Sequence, residues 1–261
     1  MRYKIMTDKT TLVKQFQNLG IKPGMTLLVH SSLRRVGKVD GGADTIIDAL
    51  LEVLGENGTL LMSGVSGNVN PDQPVYHVKY TPATVGTLVN VFMKRDNVVR
   101  SLHPVHSVAG CGPRAKYITD GHLEANTPWS PDSPYGKLMR EENGFILFLG
   151  TNFTCNTCIH ALEIEARVPG LHTRDTSKLY IFDYENNLHV IDHHWHSRKK
   201  DYYVDMEHVV AAAGGLVYGE VGTGMARLCD AQILRKTVLP ILQTTPEKVI
   251  KRLSDNDYIW E

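Results

Sequence analysis

The sequence is 261 residues long, with 42% hydrophobic and 21% charged residues, the balance of an ordinary globular chain. Its 28 lysines and arginines equal its 28 aspartates and glutamates, which excludes the basic excess of a general nucleic-acid binder. The first ten residues lack a signal peptide's apolar core and no window approaches eighteen apolar residues, so the reading is a cytoplasmic protein with no membrane partner, a single domain over 1–261. Cys111, Cys155, Cys158 and Cys229 are too few in so long a chain to make a disulfide framework.

Thr7 or Asp8 can cap a first helix carrying Leu12, Phe16 and Leu19, which Gly20 stops. Pro23-Gly24 turns into a strand over Met25–His30. The stretch 31–42 follows, with Ser31, Ser32, Leu33, Arg34, Arg35, Gly37, Lys38, Val39, Gly41 and Gly42. Glycines between a strand and a helix let backbone N–H groups approach an anion, and a helix start adds partial positive charge. The spacing matches neither the dinucleotide nor the P-loop fingerprint, so plain turn chemistry and a phosphate-bearing ligand both stand at this point. A helix over 43–54 and a strand over Thr59–Ser63 complete a right-handed β-α-β unit with parallel strands.

Residues 64–82 show no periodicity and read as a long loop, of the kind that is functional or mobile. A helix over Thr84–Arg95, a strand over Val105–Cys111 and a short helix from Pro113 come next. Residues 122–134 are irregular, and Ser133 caps a helix whose first residue is Pro134. Phe145–Leu149, closed by Gly150, reads as a strand buried on both faces. A loop leads to a helix capped by Asn156 or Thr157 and running to about Arg167, just ahead of Pro169. Leu179–Tyr184 and Leu188–Ile191 flank Glu185-Asn186-Asn187 as an antiparallel hairpin. Helices over 205–213, Ala226–Leu242 and Pro246–Leu253 close the chain, around a glycine-rich stretch from Gly219 to Gly224.

The chemistry is expected just beyond Phe145–Leu149. His160 and Glu163 sit one turn apart at the start of a helix that leaves a buried strand, where open α/β sheets place their sites. Ile159, Leu162 and Ala166 form the adjacent packing stripe. The same His–Glu spacing also occurs on solvated helix faces that do nothing. Cys155-x-x-Cys158-x-His160, together with His189, His193, His194 and His196, offers four zinc ligands and hence a zinc hydrolase or zinc-binding module. No second cysteine pair supports it, and histidines beside Arg198-Lys199-Lys200 read most simply as an exposed loop.

A set of stretches in this order resembles the aminoglycoside 3-N-acetyltransferase family: HSSL at 30–33 with GKVDGGA at 37–43, GENGTLLM at 55–62 and RSLHPVHSVAGCG at 100–112, then SPYGKL at 133–138, FILFLG at 145–150, NTCIHALE at 156–163 and VGTGMARLCDA at 221–231. Together they reach across most of the chain. The resemblance implies a three-layer α/β/α sandwich with a mostly parallel central sheet plus the antiparallel hairpin. It implies acetyl-coenzyme A as the donor, an amine of an aminoglycoside or amino sugar as the small-molecule partner, and no metal; a homo-oligomer is compatible with it. Ser31, Ser32, Leu33, Gly37, Lys38, Val39, Gly41 and Gly42 would cradle the coenzyme's pyrophosphate, and Ser107 and Val108 would line its acetyl and pantetheine end. His160 would be the base, with Glu163 behind it. An alkylammonium is no nucleophile until it loses a proton, and a histidine near its ordinary pKa can take that proton. Two features depart from the pattern. The chain is short beside drug-modifying members and shows no acidic cluster suited to a polycation, so the acceptor stays open between an aminoglycoside and an amino sugar. Cys155 and Cys158 are not expected in that motif.

Overall fold

The computed structural model describes residues 6–125, 127–196, 203–245 and 257–258. Helix α1 (Lys9–Asn18) starts at Asp8, whose carboxylate accepts the Thr11 amide, and it buries Leu12 and Phe16. Strand β1 (Thr26–Ser31) runs into one helical turn, α2 (Leu33–Val36), then helix α3 (Gly42–Leu54) and strand β2 (Thr59–Val65). The loop expected at 64–82 contains a short strand, β3 (Val75–His77). Helix α4 (Thr87–Phe92) is shorter than the expected 84–95 because Gly86, at φ 133°, breaks the pattern before it. Strands β4 (Val99–Arg100) and β5 (His106–Cys111) precede helices α5 (Ala115–Thr119) and α6 (Pro134–Leu138), and Ser133 caps the latter.

Strand β6 (Gly144–Leu149) leads through a 3-10 turn at Phe153–Cys155 into helix α7 (Cys158–Glu165). This helix stops short of Arg167, which takes a left-handed φ of 56°. The Val168 amide then returns to the Glu163 carbonyl at 3.0 Å, a helix closure of the kind usually built on glycine. The hairpin strands β7 (His172–Phe182) and β8 (Leu188–His196) are much longer than expected. Helix α8 (Tyr203–Ala212), strands β9 (Leu216–Val221) and β10 (Gly224–Asp230), helix α9 (Ala231–Thr244) and strand β11 (Asp257–Tyr258) complete the described chain. The helix expected over Ala226–Leu242 is therefore a strand followed by a helix. Asp230 divides them, its carboxylate accepting the amides of Gln232 and Ile233. The expected helix at Pro246–Leu253 and the basic run Arg198-Lys199-Lys200 lie outside the described residues.

The large sheet has the order β4-β5-β2-β1-β6-β10-β9. Its centre, β2-β1-β6, is parallel, almost wholly buried and mainly apolar, as suits strands covered on both faces. The remaining pairings, β4 with β5, β5 with β2, β6 with β10 and β10 with β9, are antiparallel. The α/β three-layer class is as expected, but the sheet is mixed rather than mostly parallel. The glycine-rich stretch explains part of this, because Gly222-Thr223 is the tight turn of a β9–β10 hairpin. Helices α1, α3 and α4 cover one face, packing Phe16, Leu50 and Phe92 against Leu27 and Leu60. Helices α5 to α9 cover the other, with Tyr135, Ile159, Leu162, Val210 and Leu234 against Leu28, Ile146 and Phe148. A second sheet, β3, β7, β8 and β11, closes over Tyr76, Leu179 and Ile181 and brings the end of β8 back beside α7.

Candidate active site

The first six residues of α7, Cys158 to Glu163, are all buried. This helix start is not a solvated face: α6 and α9 pack against it, and the rings of Trp129, His196 and Tyr203 lie beside His160. The Asn156 side-chain oxygen accepts the Cys158 amide at 3.2 Å and fixes the entry. His160 and Glu163 are 2% and 1% exposed, with Nδ1 of the imidazole 2.7 Å from Oε2 of the carboxylate. The Tyr203 hydroxyl lies 2.7 Å from the same Nδ1, 3.3 Å from Nε2 and 3.5 Å from Oε2 of Glu163. An ionised carboxylate only accepts, so the pair puts a proton on Nδ1 and leaves the lone pair on Nε2. That is the tautomer a general base needs.

Rings crowd this pair. The Trp129 and His160 centroids are 4.5 Å apart and those of His160 and His196 4.3 Å apart, the latter edge to face. His106 and His172 approach Trp129 to 4.6 and 5.7 Å. Burial lowers His172 to about 4 and His193 to about 4, so both rings are neutral at neutral pH. Burial likewise carries His103 well below the usual histidine range and His122 to about 3.

A cleft of about 190 Å³ opens at the carboxyl ends of β1 and β2, lined by His30, Ser31, Ser63, His106, Thr154 and Cys155 among others. Through His106 and Trp129 it is in ring contact with His160. Of the residues expected around a coenzyme, Ser31 lines this cleft, and Ser32 and Leu33 follow it, half-buried, at the head of α2. Gly37, Lys38, Gly41 and Gly42 form an exposed rim leading to the N-terminus of α3, and Gly37, Gly41 and Gly42 take φ values of 91°, 73° and 64°. Val39 is half-buried in a bridge to Thr7, whose amide donates to the Lys38 carbonyl at 3.0 Å. Ser107 and Val108 are fully buried. The Ser107 hydroxyl donates to the Gly64 carbonyl at 2.8 Å and accepts Nε of Arg100 at 2.8 Å, and Val108 packs in the core with Leu28 and Leu61. On β5 it is His106 that faces the cleft.

Arg100 is itself buried, and among the described residues its guanidinium donates to neutral acceptors: Ser107 Oγ, Ser66 Oγ and the carbonyls of Gly64, Val78 and Thr81. Of the ligands of the zinc reading, His160 and His196 come together beside Glu163, and the two cysteines do not join them. Cys158 is sealed in the core with its thiol pushed up by burial, and Cys155 is exposed, accepting Thr151 Oγ1 at 3.1 Å. His189 pairs with Asp183 at 2.9 Å and His194 with the Thr173 carbonyl at 2.8 Å. Sequence reasoning did not find Tyr203, Trp129 or His106, although His106 lies inside one of the quoted motifs.

A buried His–Glu pair at the head of a helix, beside a cleft at the carboxyl ends of a parallel core, is an arrangement that can serve acyl transfer or hydrolysis on a three-layer α/β fold. The profile of the aminoglycoside 3-N-acetyltransferase family matches residues 28–243, and the chain belongs to that family of acyltransferases, which use acetyl-coenzyme A. It is 36% identical over 183 residues to a Bacillus subtilis (strain 168) SPbeta prophage-derived aminoglycoside N(3')-acetyltransferase-like protein, YokD, covering 62% of this chain and 65% of that one. It is 38% identical over 188 residues to a Salmonella aminoglycoside N(3)-acetyltransferase IV, covering 69% and 70%. The crystal structure of a mutant aminoglycoside acetyltransferase AAC(3)-IVa in complex with a gentamicin superposes with a TM-score of 0.84 at 29% identity, over 97% of this chain and 94% of that one.

Proposed function

We propose that the chain, working as one domain in the cytoplasm, transfers an acetyl group from acetyl-coenzyme A to a primary amine of an aminoglycoside or amino sugar, with His160 as general base. The observation that carries this is the buried 2.7 Å contact of His160 Nδ1 with Glu163 in a chain of this family. The exposed glycines at positive φ before α3, with Arg34, Arg35 and Lys38 nearby, suit a pyrophosphate. Acetyl-coenzyme A supplies a thioester carbonyl open to attack by an amine. Nε2 of His160 takes the proton that the attacking amine must lose, and Glu163 stabilises the imidazolium so formed. The same nitrogen then returns the proton to the departing sulfur, which leaves the histidine neutral for the next cycle. Trp129 and the neighbouring rings keep bulk water from the imidazole.

The gentamicin complex makes an aminoglycoside acceptor a reasonable member of the substrate panel, while the zero formal charge of this chain favours a less charged amino sugar. The test is a screen of acetyl-coenzyme A with aminoglycosides and amino sugars, read by release of free thiol and by the mass of the acetylated product. Thiol release with an amine gaining one acetyl group is the expected result. Binding of acetyl-coenzyme A with no turnover on any amine would leave a coenzyme-binding protein instead.

A further inference from the structure

We infer that His160, Glu163 and His196 form a site for a divalent metal of the zinc class, and that the metal switches the acetyl transfer off. Two of these residues come from the first turns of α7 and the third from the last position of β8, elements joined only by the fold. One ring nitrogen of each histidine and a Glu163 carboxylate oxygen all lie within 4.8 Å of one another. Zinc holds nitrogen and oxygen ligands at about 2.0–2.2 Å, so three tetrahedral ligands stand roughly 3.3 Å apart, and small side-chain rotations close the remaining distance. Two imidazoles and one carboxylate select zinc and its late first-row neighbours over magnesium or calcium, which prefer oxygen alone. The Tyr203 hydroxyl, 2.7 Å from His160 Nδ1, stands where a fourth oxygen ligand is wanted. The set differs from the one the cysteine spacing suggests, since neither Cys155 nor Cys158 belongs to it.

The functional consequence rests on the reading of His160 as general base. A base acts through a free lone pair, and a metal bound between His160 and His196 occupies the imidazole and ties Glu163 to the ion. The metal and the acceptor's proton then compete for one side chain. Zinc therefore acts as an inhibitor here, with no part in the transfer itself.

The test uses the full chain, purified without a histidine tag and stripped with chelator. Zinc chloride is titrated into it by calorimetry, and acetylated product is followed by mass spectrometry, which free zinc does not disturb. The expected result is one zinc per chain with turnover falling in step with occupancy. His196→Gln should weaken zinc by at least about 10- to 100-fold, since a direct ligand matters no less than the residues that tune metal sites, and whatever turnover it retains should resist zinc accordingly. Glu163→Gln, which preserves shape, should weaken zinc by a similar factor. Absence of stoichiometric zinc binding, or equal affinity in wild type and both variants, overturns the site. Full occupancy at this site with undiminished turnover overturns the inhibition. Should no amine be acetylated at all, it is the transferase reading that fails, and the calorimetry still decides the metal site.

Discussion

The Tyr203 hydroxyl lies 2.7 Å from His160 Nδ1, a nitrogen that Glu163 also holds from 2.7 Å. Two partners on one nitrogen fix the ring's rotation as well as its tautomer, because Tyr203 arrives from α8 and Glu163 from the next turn of α7. Removing the hydroxyl leaves the acid in place but loosens the ring. Tyr203→Phe should lower turnover about fivefold, the equivalent of one hydrogen bond of roughly 1 kcal/mol, with KM for acetyl-coenzyme A unchanged. Steady-state kinetics against both substrates check the split.

His160→Ala should reduce turnover by about 100-fold or more and leave acetyl-coenzyme A affinity intact, since only the proton acceptor is lost. Glu163→Gln should cost less. It should also move the acid limb of the pH–rate profile to lower pH, because the imidazolium gives up its proton more readily without an anion beside it. A profile unmoved by Glu163→Gln would separate the two residues functionally.

The rim before α3 is tested by Gly41→Val. Gly41 holds φ at 73°, and a Cβ there would press on the Thr45 hydroxyl, so a branched side chain strains the backbone and crowds the helix start. Acetyl-coenzyme A should bind more weakly by calorimetry, and the melting temperature should fall by the cost of that strain. Unchanged affinity in a folded variant would remove this rim from the donor site.

Ser107→Ala should act on stability. It strips a buried acceptor from Nε of Arg100, a loss that costs about 1–3 kcal/mol, while the Gly64 carbonyl keeps Nη2 of Arg100 and the Ser66 hydroxyl as donors. A fall of several degrees in melting temperature with an unchanged KM for acetyl-coenzyme A is expected. A raised KM at intact stability would put Ser107 at the acetyl end of the donor.

Acid should unfold the protein through its buried histidines. His172 and His193 are held to about 4 and His122 to about 3, against an ordinary value of about 6.5, so between these limits the unfolded chain binds more protons than the native one. Stability is therefore full above about pH 6.5 and declines as pH falls toward 4 and 3. Melting temperature against pH should show this slope, and His193→Gln should flatten it.

The elements built from local pattern were legible. Asp8 and Ser133 cap the helices they were expected to cap, and β1, β2 and β6 are the apolar runs seen in the sequence. Strand β10 was not, because Ala226, Arg227 and Leu228 are good helix formers. Pairing with β6 and β9 on both sides overrides that preference, with Ala226 and Leu228 facing one core and Cys229 the other. His160 and Glu163 were visible as a spacing on one helix. The place of Trp129, His106, His196 and Tyr203 beside them was not, since they come from an irregular stretch, an edge-side strand, a hairpin end and a helix start that only tertiary packing gathers.

The turn between β9 and β10 presses on the segment after β1: Thr223 donates its amide to the Val36 carbonyl at 2.8 Å, and a Cβ on Gly224 would collide with the Arg35 carbonyl. A change 187 residues further along the chain can thus reshape the proposed donor rim without touching any ligand. In a saturation-mutagenesis library selected for activity, positions 222–224 should tolerate as little as the rim itself, and a second-site suppressor of a rim mutation should be sought there first.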